Sequence, residues 1–94
     1  VAPPGASEHQ TGLALDVSCQ AVDYKLDERF GEPREGLWLK RYAPLFGFIL
    51  RYSKGKEHIT GYGWEPWHIR YVTRSLALYL TLTGLTLEEY YEQK

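Results

Sequence analysis

Ser7-Glu8-His9-Gln10-Thr11-Gly12-Leu13-Ala14-Leu15-Asp16 begins as a polar, donor-bearing segment and ends as an apolar one, with the change at Thr11-Gly12. The Thr11-Gly12 step marks a turn, and the short apolar run over residues 13–19 after it reads as a buried strand. His9 and Asp16 lie seven positions apart. On one continuous strand that odd separation would set them on opposite faces. The turn removes the conflict, because His9 can sit on a loop and fold back towards Asp16 on the strand.

A second segment, Trp64-Glu65-Pro66-Trp67-His68, carries the complementary groups. Pro66 biases Glu65 towards extended geometry, so a loop or bulge entering the next strand must aim Glu65 and His68 into one cleft. Asp16, between Leu15 and Val17, is a carboxylate in an apolar strand, which costs several kcal/mol unless it is paired or binds a metal. Glu65 is an acid among aromatics, where burial favours a general-base role. Two imidazoles and one carboxylate suit a Zn²⁺ that keeps a position open for water, the pattern of a catalytic zinc. Hydrolysis by a metal-activated water is the leading expectation.

Each residue also has an ordinary reading. A lone histidine is more often a surface or hydrogen-bonded residue than a ligand. His58, in the polar Lys54-Gly55-Lys56-Glu57 stretch, fits that description and is expected in solvent. Ser7 has no Ser-His-Asp logic around it and suits a cap or a substrate contact. Cys19 is the single cysteine, which excludes an internal disulfide and a thiolate zinc site, and it reads as a buried thiol.

Outward from these segments, residues 23–35 are polar and loop-like, with room for a short helical turn, and Gly31 and Pro33 punctuate them. Residues 36–46 carry apolar side chains near helical spacing until Pro44 ends or bends the helix. Residues 48–52 and 67–72 read as strands, and the glycine-bearing residues 53–63 between them as a surface loop. Residues 75–83 form a helix, and residues 86–91 a closing one with Thr86 as N-cap and Glu89 as its capping-box partner. The sum is a mixed α+β domain with a small antiparallel sheet and flanking helices.

Ninety-four residues suffice for one small domain, and 44% apolar with 24% charged residues is ordinary globular composition. The net charge of −1, with Lys and Arg scattered, gives no footprint for nucleic acid or an anionic membrane. Eight Tyr and three Trp are enough both for a core and for the lining of a groove. No signal peptide or membrane-spanning stretch is visible. The start at Val1-Ala2-Pro3-Pro4, without Met, reads as a processed or excised piece of something longer.

The two donor segments, S-x-H-x(6)-D and E-x-x-H followed by Ile69-Arg70-Tyr71-Val72, resemble the signature segments of the VanY/LdcB-type D-alanyl-D-alanine carboxypeptidases. So do Gly47-Phe48-Ile49-Leu50-Arg51-Tyr52, Gly55-Lys56-Glu57-His58-Ile59-Thr60-Gly61-Tyr62 and Gly84-Leu85-Thr86-Leu87-Glu88-Glu89-Tyr90. The resemblance covers nearly the whole chain. It implies a Hedgehog/D,D-peptidase-like α+β fold with zinc in a sheet-lined cleft. His9, Asp16 and His68 would then be the Zn²⁺ ligands, Glu65 the catalytic base, and Ser7 and Trp67 residues bordering the substrate.

The implied substrate is a peptidoglycan stem peptide trimmed at its C-terminal D-alanine, with D,D- and L,D-specificity both open, in the extracytoplasmic bacterial cell envelope. Family members carry an upstream S-x-Y-R-S-like stretch whose arginine would hold the substrate carboxylate, and no residue here matches it. Residues 1–94 are therefore expected to be the C-terminal part of a longer catalytic domain, weakly active alone, completed by an N-terminal segment or associating with a second copy. Two rivals remain: a non-catalytic zinc module of the same fold, and a metal-free peptidoglycan-binding module.

Overall fold

Three short strands frame the molecule in the computed structural model, which describes residues 12–92. They are β1 (Ala14–Asp16), β2 (Phe48–Leu50) and β3 (His68–Tyr71), ordered β1-β3-β2 with both pairings antiparallel. Register sets Asp16 opposite His68, Ala14 opposite Arg70 and Ile49 opposite Arg70. Cross-strand partners share a face, so one face carries Ala14, Asp16, His68, Arg70 and Ile49. The other carries Leu15, Ile69, Leu50, Phe48 and Tyr71.

Each face has its own core. On the Ile69 face, Ile69 packs with Cys19, Val22, Phe30, Leu39 and Ala43, flanked by Val17, Phe48, Leu50 and Trp67. These come from α1 (Arg34–Tyr42) and from 3₁₀ turns at Gln20–Val22, Glu28–Gly31 and Ala43–Phe46. On the other face, Ile49 packs with Ala77 and Leu80 of α3 (Arg74–Thr83) and Leu87 of α4 (Leu87–Glu92). Ala77 and Leu80 are three apart, so α3 turns one stripe inwards. Its end is set by Gly84 at positive φ, whose N–H donates to the Leu80 carbonyl. The helices on this face pack on Ile49 at the β2 side, while Asp16 and His68 lie towards the β1 edge.

Local sequence chemistry accounts for the element ends. Pro44 lacks an N–H to donate, so α1 gives way at Tyr42 to the 3₁₀ turn Ala43–Phe46. Gly47 then leads into β2 at φ +90°, where an added Cβ would also strike the Tyr71 ring. At α4, the Thr86 N–H donates to Glu89 Oε1 at 2.9 Å and the Glu89 N–H to Thr86 Oγ1 at 3.0 Å. That is the reciprocal capping box expected from the sequence.

Three expectations need correction. Strand pairing covers only Ala14–Asp16 of residues 13–19, and this edge strand is not buried throughout: Leu15 and Asp16 are exposed while Ala14 is inside. An edge strand meets a neighbour on one side only, so the apolar run does not enforce burial of both faces. Residues 23–35 do hold the short helical turn allowed for them, at Glu28–Gly31, but they are not a solvent loop throughout, because Phe30 is wholly buried there. A 3₁₀ turn aims one side chain inwards while its polar neighbours stay in water. Residues 53–63 contain a helix, α2 (Glu57–Thr60), which the glycines on either side conceal.

Among the described residues, no helix is long and apolar enough to cross a membrane.

Candidate metal centre

Asp16 and His68 are brought together by register alone. They are direct cross-strand partners on one face, and Asp16 Oδ1 lies 3.3 Å from His68 Nδ1. Glu65 reaches the same nitrogen by a different route. The His68 N–H donates to the Glu65 carbonyl at 3.2 Å, closing a turn with Pro66 in its second position, where the fixed proline φ fits. The turn returns the Glu65 side chain over the start of β3, and Glu65 Oε1 lies 3.7 Å from His68 Nδ1.

Flanking backbone bonds pin this turn on both sides. The Val17 N–H donates to the Trp67 carbonyl at 2.8 Å, and the Glu65 N–H to the Tyr52 carbonyl at 3.1 Å. The Arg51 N–H donates to the His68 carbonyl at 3.1 Å, continuing the β2–β3 ladder. Trp64 lies against Gly31, where any Cβ would collide with its six-membered ring, and Lys54 Nζ sits 5.0 Å over the indole.

The His68 imidazole is buried, while the side chains of Asp16 and Glu65 keep about 29% and 20% of their accessibility. The nitrogen between the strands is thus enclosed, and the two carboxylates reach it from the more open side. The exposure of Asp16 also revises its rationale: its place beside His68 follows from strand register, not from burial forcing it to find a partner.

These residues fit a zinc ion chemically. One carboxylate oxygen and one imidazole nitrogen, close together and on rigid backbone, are donors of the kind Zn²⁺ takes, with Glu65 beside them. Among the described residues, no three Asp, Glu, His or Cys side chains are arranged to hold an ion by themselves. The third expected ligand, His9, and the substrate-bordering Ser7 lie outside the described residues.

Trp67 is half-buried and packs against the core of the Ile69 face. His58 is exposed and Cys19 is a buried free thiol, as expected. The residue that sequence reasoning missed is Tyr52. Its ring lies 5.0 Å from the His68 ring at 36° and 4.7 Å from the Tyr62 ring at 34°. The available signal was the strand reading of residues 48–52, whose antiparallel continuation carries residue 52 alongside the Glu65–His68 turn.

A VanY D-alanyl-D-alanine carboxypeptidase family profile matches residues 1–74. The putative carboxypeptidase YodJ of Bacillus subtilis is 50% identical over 93 residues, 99% of this chain and 34% of YodJ. Among solved structures, the LdcB LD-carboxypeptidase superposes with a TM-score of 0.93 at 51% identity, covering 98% of this chain and 43% of that one. A vancomycin-resistance D,D-pentapeptidase VanY variant in complex with Zn(II) superposes with a TM-score of 0.80 at 42% identity, covering 97% and 48%. The chain therefore spans about a third to a half of the length of these relatives.

Proposed function

Since the chain belongs to the VanY D-alanyl-D-alanine carboxypeptidase family, we propose that it forms the C-terminal part of the catalytic domain of a zinc carboxypeptidase. That enzyme removes the C-terminal D-alanine from peptidoglycan stem peptides. The observation that carries the reading is the convergence of Asp16 Oδ1 and Glu65 Oε1 on His68 Nδ1. Two carboxylates brought to one imidazole nitrogen repel each other, and a divalent cation there would relieve the repulsion. The similar VanY structure that binds Zn(II) supports the choice of metal.

In this reading His9, Asp16 and His68 hold the ion, with His68 binding through Nδ1, the nitrogen that faces the carboxylates. When bound, Zn²⁺ supplies Lewis acidity at the scissile carbonyl and lowers the pKa of the attacking water. Glu65 accepts the proton of that water at its carboxylate and passes it to the departing amine, so that one group serves as base and then as acid. Once Glu65 carries that proton, two neutral imidazoles and one carboxylate would leave the loaded site with net positive charge, which favours the developing oxyanion.

Ser7 and Trp67 border the cleft in this proposal. An arginine from the upstream remainder of the longer domain holds the substrate carboxylate, for which a bidentate guanidinium is the matched partner. D,D- and L,D-cleavage both stay open for the enzyme, since each kind stands among the similar structures. Such a substrate places the enzyme outside the cytoplasm, in the cell envelope.

The test is zinc content together with release of D-alanine from defined tetra- and pentapeptides, using the intact protein that carries this chain. Wild type should hold stoichiometric zinc and turn over at least one peptide. Glu65→Gln should keep the zinc and lose about 10²–10⁴-fold in kcat, the contribution of a positioned general base. A folded, zinc-free wild type would sink the proposal, and so would unchanged turnover in the variant.

A further inference from the structure

We propose that Tyr52 is a positioning residue of this site, fixing the plane of the His68 imidazole with its ring and the place of Glu65 with its backbone carbonyl. The inference rests on the reading of His68 as a ligand and Glu65 as the base.

Tyr52 touches both residues by independent means. Its ring centroid is 5.0 Å from that of His68, tilted by 36°, inside the range of favourable aromatic pairs. Its carbonyl accepts the Glu65 N–H at 3.1 Å, the bond that anchors the start of the Glu65–His68 turn. Moving Tyr52 would therefore disturb a ligand and the base together.

The ring itself is held firmly. Tyr52 is only 8% exposed, and the chain bends at residues 51–52 directly after β2. Tyr62 lies 4.7 Å from it, centroid to centroid, and is fixed in turn by Thr60. Thr60 Oγ1 donates to the Tyr62 carbonyl at 3.1 Å and accepts from the Tyr62 N–H at 3.2 Å. The Arg51 guanidinium sits 5.0 Å from the Tyr52 ring centroid, and Glu88 clasps it at 2.7 and 2.9 Å.

An imidazole that must present Nδ1 to a metal needs its ring plane set, because rotation about the Cβ–ring bond swings that nitrogen away. Hydrogen-bonded partners that orient a ligating histidine typically cost 10–100-fold in metal affinity or activity when removed, and a ring that sets the same plane acts on the same coordinate. A flat, rigid ring against a flat ring does this; a branched aliphatic side chain of similar bulk fills the space without setting the plane.

The experiment compares Tyr52→Leu and Tyr52→Phe in the intact protein, with thermal melting and circular dichroism to establish folding. Zinc affinity is measured by competition with a chromophoric chelator. Tyr52→Leu should bind zinc roughly 10–100-fold more weakly and lower kcat with KM little changed. The visible spectrum of its Co²⁺-substituted form should also be altered. Tyr52→Phe should recover zinc affinity to within a few-fold, because the ring is restored. A folded Tyr52→Leu with wild-type zinc affinity, kcat and Co²⁺ spectrum overturns the proposal.

Failure of the functional reading shows separately, as a wild type that takes up no zinc. In that event the metal-free protein decides: nuclear Overhauser contacts from the His68 ring protons to their neighbours should change in Tyr52→Leu and return in Tyr52→Phe. Unchanged contacts overturn the positioning role.

Discussion

Two pairs of acids in this small domain are used in opposite ways. At the start of α4, Glu88 and Glu89 each meet a cation of their own: Arg51 grips both oxygens of Glu88 at 2.7 and 2.9 Å, and Lys56 donates to Glu89 at 3.0 and 3.3 Å. At the sheet edge, Asp16 and Glu65 are aimed instead at a single histidine nitrogen, at 3.3 and 3.7 Å. The first pair is neutralised within the fold and ties α4 to the β2–α2 region. The second gathers two carboxylates around one imidazole nitrogen, the arrangement on which the proposed cation site rests. Matched acids build structure, whereas the converging acids are the ones proposed to serve a site.

The strongest way to break this contrast is to remove the shared nitrogen. His68→Ala should abolish measurable zinc uptake and D-alanine release while the α4 clasp stays intact, read from zinc content, peptide turnover and a melting curve. Retained zinc would mean that the acids at the sheet edge do not converge for a metal.

A smaller effect is expected on the structural side. Glu88→Gln leaves the part-buried Arg51 without its bidentate partner and should cost about 1–2 kcal/mol, a charged hydrogen bond discounted for partial exposure. Zinc affinity should stay within a few-fold of wild type. Denaturant unfolding and chelator competition measure the two, and a loss of zinc without a loss of stability would reverse the assignment of roles.

The smallest effect concerns pH. The Glu89 carboxyl is held below its ordinary value by the hydrogen bond from the Thr86 N–H and then by Lys56. A carboxylate whose pKa is lowered by folding contributes stability above its unfolded value, near 4.5, and loses it as pH falls through the folded one. Acid should therefore loosen α4, and Glu89→Gln should flatten the fall in melting temperature between about pH 5 and pH 3. An unchanged slope would show that the capping box and Lys56 leave this carboxyl unperturbed.

The sequence made the site chemistry more legible than the packing that holds it. Asp16, Glu65 and His68 stood out as donor types whose spacing allowed convergence, the resemblance supplied their expected roles, and the structure brings the three side chains together. The capping box at Thr86 and Glu89 was legible because its spacing is local information. Phe30 and α2 were not, since a single apolar residue in a polar run and a four-residue helix between glycines leave no periodicity to read. Tyr52 was seen as the end of a strand. Its contact with His68 exists only once β2 and β3 are paired and the chain bends after Leu50, which is tertiary information.

The pairing of Asp16 with His68 has one more consequence. Side chains alternate along a strand, so sliding β1 by one residue against β3 would send Asp16 to the Ile69 face and bring Leu15 or Val17 opposite His68. With only three residues in β1, few ladder bonds oppose such a slip. A cation that requires both the aspartate and the histidine binds one alignment and none of its neighbours. In the proposed centre, a bound cation would therefore select the register of the edge strand as well as the ligands.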